Sequence, residues 1–168
     1  IPDWDQNDNS IGIVIRYGEF YLTLAGDAEQ REWAWWLIHQ RASFREVHVH
    51  KASHHGSNSG DTRDGLALLS PQRVAIGVGA GNTYGHPDAE ALRLYAETGA
   101  TVHRTDQNGT IIVEAQATGA YAVNVEKGDG AQPPRPSPPS PAPPSSWTDP
   151  RPLPRQSRSL SIGPHCCD

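Results

Sequence analysis

Cysteine is almost missing from this sequence: the only two, Cys166 and Cys167, are adjacent at its far end. Neighbouring cysteines seldom bridge, and there is no C-x-x-C pair, so a thiolate zinc site is excluded and cysteine usage leaves the redox compartment open. No run approaches the roughly 18 apolar residues of a membrane helix, and no secretory leader is visible. No internal repeat is present. The chain opens at Ile1 and not at Met, which fits a fragment or a processed product. Positive charge is also scarce: the net charge is −5, with ten basic against seventeen acidic residues in 1–130 and four arginines against two acids in 131–168. That excludes the broad basic footprint of a duplex-DNA binder. The acidic surplus suits carboxylates gathered around cations, and equally a solvated acidic surface.

Strand and helix signals fill the first 130 residues. Residues 11–17 (IGIVIRY) and 20–25 (FYLTLA) are β-branched and alternating, with Gly18-Glu19 as a turn between them. Residues 28–41 carry helix formers with acids in the first turn, and Trp33, Trp36 and Leu37 fall at the spacing of a buried helical stripe. Residues 46–51 and 73–78 predict strands, 62–69 a short helix, and 88–98 a helix stopped by Gly99. Three further strands are expected at 101–104, 110–114 and 121–126. Strands alternating with helices imply an α/β layered sheet with helices outside. Twelve of the fifteen prolines lie in 131–168. Such a segment buries too little apolar surface to offset its ordering entropy, so a disordered Pro/Ser/Arg-rich tail is expected there, a linker or a PxxP ligand.

Three polar clusters follow strands, where α/β folds place their sites. Ala25-Gly26-Asp27 either offers a carboxylate or caps the helix that follows. Lys51-Ala52-Ser53-His54-His55-Gly56-Ser57 puts two imidazoles beside a glycine that lets the backbone turn sharply; neutral imidazole is the commonest metal ligand, and the bland alternative is two surface histidines. Asn82-Thr83-Tyr84-Gly85-His86-Pro87 places His86 before a proline at a helix start, which biases it to an extended conformation, or is merely a capping loop. His48-Val49-His50 imitates the start of an HxHxDH metal motif, but Lys51-Ala52 follows, and these two are expected on one face of a strand as surface or partly buried histidines. His39, His103 and His165 are read as structural or solvated.

In order and spacing, Asn9-Ser10, Gly26-Asp27, Lys51-x-x-His54-His55-Gly56-Ser57, Asn82-x-Tyr84-Gly85-His86-Pro87 and Arg104-Thr105-Asp106-x-x-Gly109 resemble the metallo-β-lactamase-like hydrolase domain of ComEC-type DNA-internalisation competence proteins and related stand-alone hydrolases. The likeness covers about residues 7–115 and only the C-terminal half of that domain. The family's HxHxDH half, which supplies most ligands to one metal, has no counterpart here.

The resemblance implies an αββα sandwich, of which residues 1–130 form the C-terminal part, with a binuclear Zn or Mn site at the sheet edge. It places Asp27 as the bridging carboxylate and His55 as a late metal ligand, with His54 as the substitute if the loop is turned the other way. It puts Lys51 where a cation would stabilise a phosphoryl transition state and His86 where a proton donor would serve. The implied activity is metal-dependent phosphodiester hydrolysis, as a nuclease linked to DNA uptake, incomplete without the missing N-terminal half. The implied partners are DNA or another phosphoester, and the implied location is extracytoplasmic or membrane-associated through a parent protein. A metallohydrolase of another ester, or a non-catalytic remnant serving as an interaction module, remain the alternatives.

Overall fold

The computed structural model describes residues 6–128 and 158–163. Five strands form one mixed sheet in the order β1-β2-β3-β4-β5: β1 (Ile13–Tyr17), β2 (Phe20–Leu24), β3 (Val49–Lys51), β4 (Arg73–Ile76) and β5 (Thr101–Arg104). β1 and β2 are an antiparallel hairpin, and β2 through β5 run parallel. The crossovers are α1 (Gln30–His39), α2 (Arg63–Leu69) and α3 (Ala89–Thr98), as parallel strands require. A one-turn helix α4 (Thr105–Asn108) follows β5 and was not expected. The second sheet has the order β7-β6-β8: β6 (Ile111–Ala115), β7 (Tyr121–Val125) and β8 (Arg158–Ile162), all antiparallel.

Strand alternation sorts the side chains into two layers of core. On one face of the five-stranded sheet, Tyr21 packs with Trp33, Trp36, Phe44 and Val47 under α1, while Val74, Ile76 and Val78 pack with Leu66, Ala91 and Tyr95 under α2 and α3. On the other face, Tyr17, Phe20, Leu22 and Val49 meet Val113, Ala115 and Tyr121 of the second sheet. The described residues therefore build a helix–sheet–sheet stack, an α/β fold lacking the second helical layer of an αββα sandwich. An uncovered inner face is avoided for most of the sheet, and at its β1 edge Ile11 and Ile13 remain exposed. The Gly18 turn is a point of close approach: Gly18 has φ +59°, and a Cβ there would sit 2.0 Å from the Ala117 carbonyl oxygen, which accepts from Glu19 N–H. Only glycine fits.

Local expectations hold with adjustments. Trp33 and Trp36 are buried, Leu37 only partly so, and Glu32 takes the remaining buried place on α1. Thr62 caps α2 by accepting from Gly65 N–H at 3.1 Å, and Gly99 ends α3 at φ 75°. Most of the expected tail lies outside the described residues, but 158–162 is a strand and not a coil: Arg-Ser-Leu-Ser-Ile alternates, and its backbone pairs with the open edge of β6, Leu160 opposite Val113.

His48 and His50 correct the reading of sheet-surface histidines, because both are buried. They also lie on opposite faces. β3 begins only at Val49, so alternation does not extend to His48, which packs against Phe20 and Tyr121 and accepts from Tyr21 N–H at 3.2 Å. His48 stays below the usual histidine range because burial disfavours its charged form. His50 lies edge-on to Trp33 beneath α1.

Candidate functional site

Parallel strands β2 to β5 end side by side: Leu24 is level with Lys51, Lys51 with Ala75, and Ile76 with Arg104. All three clusters singled out in the sequence leave the sheet at this edge. Backbone bonds tie the loops together. His54 N–H donates to Gly26 C=O at 3.1 Å, and Asp88 N–H to Gly56 C=O at 2.8 Å. Thr105 Oγ1 sits 2.7 Å from both the N–H and the C=O of Val78. Asp27 does not cap α1, whose N-cap is Glu29, and its backbone N–H donates to Ser10 Oγ at 3.2 Å.

Asp27 and His55 face each other, with His55 Nε2 3.3 Å from Asp27 Oδ1. His54 (φ 42°) and His55 (φ 54°) both adopt left-handed backbone, uncommon without glycine. This double reversal turns the two rings to different neighbours. His55 Nδ1 lies 2.6 Å from the Gly77 carbonyl oxygen. A carbonyl only accepts, so Nδ1 carries the proton, the arrangement that commonly orients a metal-ligating imidazole. In the neutral ring Nε2 then presents a lone pair to a carboxylate oxygen, and only a proton or a cation between them makes that approach favourable. These two donors fit one side of a divalent metal and do not close it: among the described residues no group of three or more His, Cys, Asp or Glu converges as a metal site. Four-coordinate zinc needs further ligands.

His54 turns the other way. Its Nδ1 is 3.1 Å from Glu29 Oε1, off the direction of a hydrogen bond. Glu29 also accepts from Ser59 Oγ at 3.1 Å and Asn7 Nδ2 at 3.3 Å. His86 Nδ1 is 3.5 Å from Asp88 Oδ2, and the His86 ring meets that of His54 at a centroid distance of 5.7 Å. Pro87 is not the first residue of the helix, since Asp88 is the N-cap; its carboxylate leaves the cap unmade and accepts from Asn58 N–H at 2.8 Å. Gly56 (φ +79°) lets the histidine loop close on this one: a Cβ there would meet Pro87 Cβ at 2.7 Å. Asn82 clamps the His86 backbone at both ends, accepting from its N–H at 3.1 Å and donating to its C=O at 2.8 Å. Lys51 closes β3, half-buried, and by alternation shares the face of Val49 toward the second sheet. Arg104 is held by both oxygens of Asp106.

Glu29, Asp88 and Gly77 were not singled out by sequence reasoning. Glu29 and Asp88 each lie two residues beyond a chosen one, Asp27 and His86, and that proximity was the available signal; the Gly77 carbonyl carries none. Glu32 was missed as well. It is buried on α1 and accepts from Ser10 N–H at 3.0 Å, so the same serine links Glu32 to Asp27. Burial pushes the Glu32 carboxyl up to about 7, the Ser10 N–H opposing and Asp8 adding to the rise. The folded state thus prefers the protonated acid. Its stabilising contribution is complete below the unfolded value of about 4.5 and is lost as pH rises through about 7. Glu32→Gln keeps an acceptor for Ser10 and removes the titration. Thermal or urea unfolding is expected to show a gain of roughly 3 kcal/mol at pH 8 and none at pH 4.

The open groove beside the site is lined by Asp8, Glu29, Gln30, Arg31, Asn58, Ser59 and Glu90, three carboxylates to one guanidinium. An anionic substrate gains nothing there without bound cations.

The fold and these loops define a mixed α/β protein with a carboxylate–histidine pair at the ends of its parallel strands. No family model matches the chain. Over 106 residues, 63% of the chain, it is 31% identical to the ComE operon protein 3 of Bacillus subtilis (strain 168). The chain spans 13% of that protein's length.

Proposed function

We propose that this chain supplies one side of a divalent-metal-dependent phosphodiester hydrolase, a nuclease acting in DNA uptake. The observation that carries the reading is the Asp27–His55 pair, with His55 held by Gly77 so that Nε2 is directed at the carboxylate. The likeness to ComE operon protein 3 supports the competence connection. By that reading the protein works outside the cytoplasm or at the membrane, as part of a longer chain or with a partner that provides the remaining ligands of a metallo-β-lactamase-like domain.

Asp27 and His55 would hold the metal, Zn or Mn, which supplies Lewis-acid activation of water and of the phosphoryl group when bound. His86, oriented by Asn82 and beside Asp88, delivers a proton to the leaving oxygen. Its place on a loop locked to the histidine loop through Gly56 keeps acid and metal ligands in fixed relation. His54 lies between these two groups and is assigned to positioning with Glu29, in place of a metal ligand. Lys51 serves as a cation at the strand end.

The test is titration of the chain with Zn²⁺ and Mn²⁺ by calorimetry, together with hydrolysis assays on an oligonucleotide, a lactone and a thioester by the chain joined to the half of the domain that carries the remaining ligands. Metal binding with cleavage of the oligonucleotide, abolished by a chelator, is the expected result. Cleavage of the carboxyl esters alone would assign a different ester substrate. A second reading, a non-catalytic interaction module, is favoured by the two-donor count among the described residues, and absence of metal binding and cleavage in the completed domain would support it.

A further inference from the structure

Tyr84 stands out among the exposed apolar side chains. Ile11, Ile13, Trp35, Ile38 and Tyr84 are the large exposed ones among the described residues, and of these Tyr84 alone lies on a loop of the candidate site. It is 69% exposed, and its ring is parallel to that of His86, tilted by 10° at a centroid distance of 6.2 Å. The loop that presents it is already rigid. Asn82 bonds to Gly79 C=O and to both backbone groups of His86, closing the segment on itself. Around the tyrosine the surface is bare: a Cβ at Gly79, Gly81 or Gly85 would meet nothing within 4 Å. A flat aromatic face, open to solvent on a hydrogen-bonded loop, adjoins the group assigned as proton donor.

We propose that Tyr84 is a base-stacking platform, and that the substrate is single-stranded nucleic acid whose unpaired base lies on Tyr84 while the adjoining phosphodiester reaches His86. This rests on the phosphodiesterase reading and adds to it the strandedness of the substrate. Charge makes stacking necessary. Residues 1–130 carry a net negative charge, and the neighbouring groove is acidic, so backbone phosphates contribute little affinity by themselves. Base–aromatic stacking does not depend on that charge balance and accepts any base. In a duplex, base faces are covered by their neighbours, so one projecting tyrosine can engage only an unpaired or terminal nucleotide.

The test is equilibrium binding of the full chain, in chelator so that nothing is cleaved, to three labelled probes: a thymidine oligonucleotide, an abasic strand with the same phosphates, and a blunt duplex. The thymidine strand is expected to bind roughly 5- to 100-fold more tightly than the abasic strand, the range one stacked base provides. Tyr84→Ala should erase that difference, and Tyr84→Phe should keep it, because the ring and not the hydroxyl makes the contact. Equal binding of the thymidine and abasic strands by the unaltered protein, or tighter binding of the duplex, overturns the proposal without relying on any variant. Base-dependent binding without metal-dependent cleavage by the domain completed with its remaining ligands would leave the platform standing and remove the phosphodiesterase reading.

Discussion

Asp61→Ala is expected to lower the unfolding free energy by about 3–5 kcal/mol, the cost of leaving several buried hydrogen-bonding groups without the carboxylate that satisfies them. Asp61 lies beneath α3, fully enclosed, and three donors converge on it. His50 Nε2 is 3.0 Å from Oδ1, while Ser53 N–H at 2.9 Å and Tyr95 O–H at 2.8 Å share Oδ2. His50 has no exposed surface at all. Burial alone would raise the Asp61 carboxyl, but the charge and hydrogen bond of His50, with the Ser53 and Tyr95 bonds, outweigh it and hold the group below its ordinary value. A depressed carboxylate contributes stability above its unfolded value of about 4 and loses it as pH falls through the folded one. Urea unfolding at pH 7 should therefore show the full deficit, and the wild type's lead over Asp61→Asn should shrink in acid. Combining Asp61→Ala with His50→Leu should recover part of the loss, because no buried imidazole is then left without its partner. A single-variant deficit under about 1 kcal/mol at pH 7 would remove the pair from any structural role.

That network also sits directly under the site. Ser53, whose N–H Asp61 holds, donates through its hydroxyl to Ala28 C=O, next to Asp27, and precedes His54 in sequence. One aspartate thus fixes the start of the histidine loop to the sheet, and one serine fixes that loop to the Asp27 loop. Disorder introduced at Asp61 should reach both candidate ligands.

The strands were legible because Ile, Val, Tyr and Leu alternate in 13–17 and 20–24, and α3 was legible because its periodic stretch ends at a glycine. The clusters were legible because Asp27, His55 and His86 follow strands in a familiar order. What escaped depends on partners far away in the chain. His50 reads as a half-exposed strand residue until Asp61, eleven positions on in a polar loop, and Tyr95 on a helix are brought beneath it. His54 and His55 cannot be told apart by composition, since the left-handed turn that sends one ring to Glu29 and the other to Asp27 comes from loop closure. β8 had two apolar residues in a proline-rich tail, and it becomes a strand only where β6 offers an unpaired edge.

Asp27→Ala is expected to cost at least about 100-fold in affinity for Zn²⁺ or Mn²⁺ and in the rate of any metal-dependent cleavage. Replacing groups that merely orient a ligand costs about 10–100-fold, so loss of a ligand sets that range as a floor. The same substitution should hardly disturb folding. The Asp27 side chain is 42% exposed, and the backbone N–H, which alanine retains, makes the bond to Ser10. Substitutions at exposed positions away from caps and buried pairs fall within about 0.5 kcal/mol. His55 keeps its bond to Gly77 and loses only the carboxylate opposite. Activity and stability should therefore separate at Asp27 and move together at Asp61. Calorimetric metal titration, cleavage rates and urea unfolding on the same preparations check this. Unchanged metal affinity in Asp27→Ala would sink the assignment of the Asp27–His55 pair as a metal half-site, and an unfolding deficit comparable to that of Asp61→Ala would make Asp27 a structural residue.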